Sequence, residues 1–242
     1  MSEQTSPTSG LKSFIKSIPA IGPTAGKLAC LPFVARVRSL GFPGSASFWE
    51  RVYRKGGTSG PGSYGRLADF KAEVLNEFVQ AKNIRTVIEF GCGDGAQLGL
   101  AKYPEYVGVD VSAAAIERCS SLFARDSKKR FFLADALPTD LGTFDLALSL
   151  DVIYHLLEDA VFEEYMKRLF RFSRRFVVIY ASNFEARTRA LHVRHRRFTT
   201  WIIKNARDWQ SAGFLANRFP ADPSQPEETS FADFHFFTRK DA

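Results

Sequence analysis

The sequence predicts an α/β fold, a largely parallel sheet covered on both faces by helices. Three observations carry that reading. Between Arg85 and Ala181, short apolar runs alternate with segments of helical spacing, the pattern of strands joined by crossover helices. A glycine-rich turn, Gly91 to Gly95, sits where the first strand gives way to the next element. After Phe198 the alternation stops. Two strand-like runs then follow each other with no helix between, most simply an antiparallel pair closing one sheet edge.

The elements follow in order. Residues 1–10 are rich in Ser, Thr, Pro and Gly and read as disordered. Leu11, Phe14, Ile15 and Ile18 fall on one helical face, and from Gln4 to Trp49 there are five basic residues and no acid. A short basic amphipathic helix over 11–18 is expected, packed on its own domain or touching a membrane surface as a peripheral contact. Residues 1–47 thus form a short, partly helical N-terminal extension, and 48–242 the main domain. Phe48–Tyr53 reads as a short helix, Gly56–Gly65 as a flexible loop and Leu67–Gln80 as a helix. Strands are expected at Arg85–Phe90, Tyr106–Val111, Arg130–Ala134, Phe144–Leu150 and Phe176–Ala181. Helices are expected at Ala96–Lys102, Ala113–Phe123, Asp159–Phe172 and Phe198–Trp209. The closing strands are placed at Phe214–Phe219 and Phe231–Thr238.

Composition excludes several classes. No apolar run approaches the ~20 residues of a membrane-spanning helix, and the N-terminus MSEQTSPTSG has no basic lead before a long apolar stretch. Cys30, Cys92 and Cys119 are an odd number with no CxxC pair, which suits a reduced, cytoplasmic protein. The four histidines and the acids show no metal-ligand spacing. The net charge of +7 is local: Arg171 to Arg197 holds eight arginines against Glu185 alone. Such a patch suits an anionic partner or acceptor, or is a solvated face.

Glu89-Phe90-Gly91-Cys92-Gly93-Asp94-Gly95 carries the chemistry. Its glycines let the backbone turn sharply and come close to a ligand, and a helix starting behind them offers free N–H groups. Alone the loop also satisfies a loose dinucleotide pattern through Gly91, Gly93 and Ala96. Asp110 ends the second strand, where a carboxylate takes ribose hydroxyls. Asp135 ends the third, and the fourth runs from Phe144 through Asp151, Tyr154 and His155 to Asp159.

Together these segments resemble the class I S-adenosylmethionine-dependent methyltransferases: acid-x-Gly-x-Gly-x-Gly, an acid closing strand two, an Asp after strand three, and a His–apolar–x–acid signature after strand four. The resemblance covers Phe48 to Arg239. It implies a Rossmann-like, doubly wound seven-stranded sheet whose last strand is antiparallel, with S-adenosylmethionine as cofactor. It places Glu89 and Gly91 near the methionine portion, Asp110 on the ribose and Asp135 with Ala136 at the adenine, and adds Cys92, Gly93, Gly95, Val111 and Leu150 to the cofactor-binding residues.

Ligands in open α/β sheets lie at the carboxyl ends of the strands. His155 is accordingly the first candidate general base and Asp151 the second, with Tyr154 beside the acceptor. Tyr64 and Arg66 are expected in a lid over the cofactor, Arg66 on the methionine carboxylate. His192, Arg194 and Arg196, after strand five, are expected to bind an anionic acceptor. The activity expected is O-methylation of a small molecule or saccharide. The alternatives are an RNA or protein acceptor, or a silent cofactor-binding scaffold.

Overall fold

A computed structural model describes residues 42–240, so the disorder expected at 1–10 and the helix expected at 11–18 lie outside the described residues. The described residues from Pro43 onward form one compact unit. Helix α1 (Ser45–Arg54) and helix α2 (Gly65–Ala81) precede the sheet. The alternating part follows: β1 (Thr86–Phe90), β2 (Glu105–Asp110), α3 (Ala113–Leu122), β3 (Lys129–Leu133), β4 (Phe144–Leu150), α4 (Asp159–Arg171) and β5 (Ser173–Ala181). A two-residue pair, β6 (Ala186–Arg187) and β7 (Arg194–His195), forms a small hairpin; α5 (Phe198–Asn205), β8 (Trp209–Leu215) and β9 (Asp233–Arg239) complete the chain. No helix among the described residues is long and apolar enough to cross a membrane.

The seven main strands lie in the order β3-β2-β1-β4-β5-β9-β8. β9 runs antiparallel to both neighbours, and the others run parallel, as expected. Strand periodicity splits the core over two faces. Ile88, Val107, Ala147, Val177 and Ile179 pack against α4 and α5 through Met166, Leu169, Phe198 and Ile202. Val87, Tyr106, Leu146, Leu148 and Val178 face Phe70, Leu75 and Val79 of α2 and Cys119 of α3. Strand β4 is buried over its whole length, which is why it reads as an unbroken apolar run.

The structure departs from the sequence reading in three places. The helix expected at Ala96–Lys102 is absent; a single 3-10 turn, Leu98–Leu100, stands there instead. Gly95, held at φ +80, Gly99 and Pro104 crowd a connection too short for regular helix, and Leu98 drops into the core. Consequently no helix N-terminus backs the glycine loop. Strand β8 starts at Trp209, five residues before the expected Phe214. It is an edge strand, mostly exposed and shifted in register between Ser211 and Gly213, so its sequence shows no alternation to read. Helix α5 ends at Asn205, because Trp209 is taken into that strand.

The arginine-rich stretch is also divided. Arg174 and Arg175 pair with Asp145 at the start of β5. Arg187 to Arg197 lie past its far end, roughly 30 Å along a nine-residue strand.

Candidate functional site

A pocket opens at the carboxyl ends of β1, β2 and β4, with residues of α1 and the loop after it also on its walls. It holds about 1180 Å³ of unfilled space, its open mouth included. Glu89, Gly91, Cys92, Gly93, Asp110, Val111, Leu150, Asp151 and His155 all line it, from three separate segments of the predicted site.

The glycine loop is shaped by close neighbours. Gly91 and Gly93 have φ +88 and +56, and a Cβ on either would collide, with Val152 in one case and Ser59 in the other. Gly95, at φ +80, instead abuts Cys119 and Phe123, away from the pocket lining. The loop's N–H groups are held internally: Gly91 and Cys92 donate to the Val109 carbonyl, Gly93 to Asp110 Oδ2 at 2.9 Å, and Asp94 to Ser59 Oγ at 3.0 Å.

Asp110 is fixed at both oxygens, since Ser112 N–H donates to Oδ1 at 2.9 Å. Each oxygen keeps one lone pair for a ligand. Burial raises this carboxyl to about 6, against the pull of the Ser112 and Gly93 amides. Glu89 shares the face of Val87, so it points towards α2; Tyr106 donates to its Oε2 at 2.7 Å. Burial raises Glu89 to about 7, while the Tyr106 hydroxyl and Lys71 pull it down.

Asp151 is a non-glycine residue at φ +59. Lys71 Nζ lies 2.6 Å from its Oδ2, and Tyr154 donates to its Oδ1 at 2.8 Å. Both oxygens are therefore engaged. The His155 Nδ1 lies 2.9 Å from the His192 carbonyl, so this nitrogen donates and Nε2 is left as an acceptor. Burial lowers His155 to about 4, so the ring is neutral at pH 7. Trp49 packs edge-on to it at 4.8 Å and His192 stacks at 5.5 Å.

Other expected residues stand elsewhere. Asp135 and Ala136 are exposed and do not line the pocket; Ala134 does. Tyr64 donates to Asp94 Oδ2 at 2.7 Å, bracing the loop from behind. Arg66 is directed away from the pocket, with Nε on the Glu228 carbonyl and its guanidinium over Phe219. Arg194 and Arg196 correct the reading of the basic run. Both bind Asp159 and the Leu157 carbonyl, and Arg196 adds the Leu156 carbonyl and the Phe162 ring. They tie the hairpin to the turn after β4.

Three pocket residues escaped the sequence reading. Lys71 has 1% of its side chain exposed, yet carries a charge. Its signal was its place in the row Leu67, Lys71, Leu75, Val79, at i, i+4 spacing on the buried face of α2. Gln97 is buried, and its Oε1 lacks any partner. Trp49 roofs the pocket from α1, whose Glu50 accepts from Ser112 Oγ at 2.6 Å. Among the described residues, no group of three His, Cys, Asp or Glu side chains is placed to hold a metal.

Residues 87–175 match the family described as a methyltransferase domain. No curated protein matches the chain by sequence. The fold is similar to the N-methyltransferase NodS from Bradyrhizobium japonicum WM9 with S-adenosyl-L-homocysteine: 16% identity, 81% of this chain and 98% of that one, TM-score 0.60. Magnesium protoporphyrin IX methyltransferase from Synechocystis PCC 6803 is 16% identical over 88% of this chain and 99% of its own, TM-score 0.54. The methyltransferase domain of bacterial CtHen1 is 21% identical over 70% and 96%, TM-score 0.54. The family match spans the glycine loop, the end of β2 and the β4 turn, so residues 87–175 carry a methyltransferase domain, on a sheet whose order is that of the Rossmann-like fold.

Proposed function

We propose that this methyltransferase acts on a small molecule or saccharide, most simply at oxygen, inside the pocket beneath α1. One observation carries the reading: His155, with Nε2 left as an acceptor, lines the same pocket as Glu89, Gly91 and Asp110. A hydroxyl presented there would donate to Nε2 and be oriented by it.

The residues present fit S-adenosylmethionine. Asp110 offers two open lone pairs to the ribose hydroxyls, and Gly91 and Gly93 bring the backbone to the pocket wall in conformations and spacing that admit no Cβ. The partnerless Gln97 Oε1 suits a cationic amino group. When bound, the cofactor supplies an electrophilic methyl group on a sulfonium. This chain's part is to bind, orient and exclude water. Trp49, Tyr53 and Val152 give the pocket apolar walls, and His155 stays an uncharged acceptor at pH 7. Asp151 is a poor candidate base, because Lys71 and Tyr154 already hold both of its oxygens. Anionic character in the acceptor would be met by the exposed Arg187, Arg189 and Arg197 on and beside the hairpin, with Arg194 and Arg196 engaged internally.

A cytoplasmic location is part of the proposal, since Cys92 and Cys119 are buried free thiols. Transfer of labelled methyl from S-adenosylmethionine to a small-molecule fraction, compared with RNA and protein fractions, tests the acceptor class. Label confined to RNA or protein would overturn it.

A further inference from the structure

We infer that Lys71 and Gln97 hold the amino-acid end of the cofactor, and that Asp151 is the resident counter-ion of Lys71, which the cofactor carboxylate joins. The inference rests on the pocket being the S-adenosylmethionine site.

The geometry is that of a socket for a zwitterion. Lys71 is a buried cation whose ammonium meets Asp151 Oδ2 at 2.6 Å and lies 5.3 Å from the Tyr180 ring. An ammonium has three donors, and Asp151 takes one. The remaining donors suit a second carboxylate entering from the pocket that Lys71 lines. Gln97 supplies the complementary end. Its Nε2 donates to the Ala68 carbonyl of α2 at 3.2 Å, which fixes the amide and leaves Oε1 buried without a donor. Such an orphan is costly unless a ligand satisfies it. Glu89 adds a carboxylate on the same wall, with Tyr106 on Oε2 only. One cation, one anion and one orphan acceptor match a carboxylate beside an α-ammonium.

Asp151 explains how a buried ammonium persists without ligand. An unpaired one is strongly disfavoured. Asp151 adopts φ +59, a strained conformation for this residue, and Tyr154 fixes its second oxygen. A carboxylate held in that way is a positioning residue for Lys71.

The test compares S-adenosylhomocysteine with 5′-methylthioadenosine, the same thioether nucleoside without the amino-acid end, by titration calorimetry on the full chain. The wild type should prefer S-adenosylhomocysteine at least about 100-fold. Lys71→Met should cut that preference to below about 10-fold while 5′-methylthioadenosine binds as before. Gln97→Leu should reduce it by about 10-fold. Asp151→Asn should retain or strengthen S-adenosylhomocysteine binding, because the ligand becomes the sole anion on Lys71. Equal wild-type affinity for the two ligands would overturn the inference without any variant, so a variant that fails to fold does not shield it. An unchanged preference in Lys71→Met, or loss of S-adenosylhomocysteine binding in folded Asp151→Asn, would also overturn it. If neither ligand binds the wild type, the failure belongs to the cofactor assignment itself.

Discussion

Replacing Asp110 with asparagine isolates the ribose contact from the fold. In the structure the two carboxylate oxygens accept one backbone N–H each, from Gly93 and Ser112, both at 2.9 Å. Each oxygen then has one lone pair for a ribose hydroxyl. Asparagine keeps a single acceptor oxygen, and its NH2 group must face one of the two backbone donors. One charge-assisted bond to the ligand is lost, about 1.5–3 kcal/mol, and the other is weakened. The sum, about 2–4 kcal/mol, is roughly a 30- to 900-fold rise in Kd. The fold should lose at most about 1–3 kcal/mol, because one of the two backbone donors is left unsatisfied while an unfavourable buried charge, which already raises this carboxyl to about 6, is removed. The assay is calorimetric titration of S-adenosylhomocysteine into Asp110→Asn at pH 8, beside a thermal melt. A Kd within threefold of wild type, in a folded protein, would refute the assignment of Asp110 to the ribose.

Three further outcomes are expected. Gly93→Ala should abolish cofactor binding and lower Tm, since the new Cβ runs into Ser59 at a backbone angle of +56°; normal binding by calorimetry would show that the loop relaxes freely. Arg196→Ala should lower stability by about 2–3 kcal/mol, several degrees in Tm, and leave S-adenosylhomocysteine affinity unchanged. That follows from a buried guanidinium with three hydrogen bonds, and an unchanged Tm would contradict it. Cofactor affinity should rise with pH between 5 and 8, because Asp110 and Glu89, raised to about 6 and about 7, must ionise to accept ligand donors. The sign reverses for the ligand-free protein. Both carboxyls sit above their unfolded values, so their stabilising contribution is full below about 4 and is lost as pH rises through about 6 and then 7. The thermal shift given by S-adenosylhomocysteine should therefore grow with pH, and a flat profile would count against both groups.

Much of this was legible in the residues. β4 matched its predicted limits because a doubly covered strand is one unbroken apolar run. Glu89, Asp110 and His155 could be placed because strand ends in this fold converge on one pocket. What escaped the reading was whatever depends on neighbours distant in sequence. Arg194 and Arg196 read as a free basic face, yet the carbonyls of Leu156 and Leu157 and the Asp159 carboxylate engage them. Arg66 looked available until Glu228, 162 residues away, took it. Lys71 showed a usable signal, a charge inside an apolar row, but nothing local says that Asp151 would meet it. Gln97 lay in a segment read as helix, where the real chain turns once and buries its amide.

The most direct measurement is a calorimetric titration of the wild-type chain with S-adenosylhomocysteine, followed by NAD. Saturable one-to-one binding of the first, with none of the second, is the predicted result. No heat with S-adenosylhomocysteine at millimolar concentration, or saturable binding of NAD in its place, would contradict the assignment of this pocket to the methyl donor.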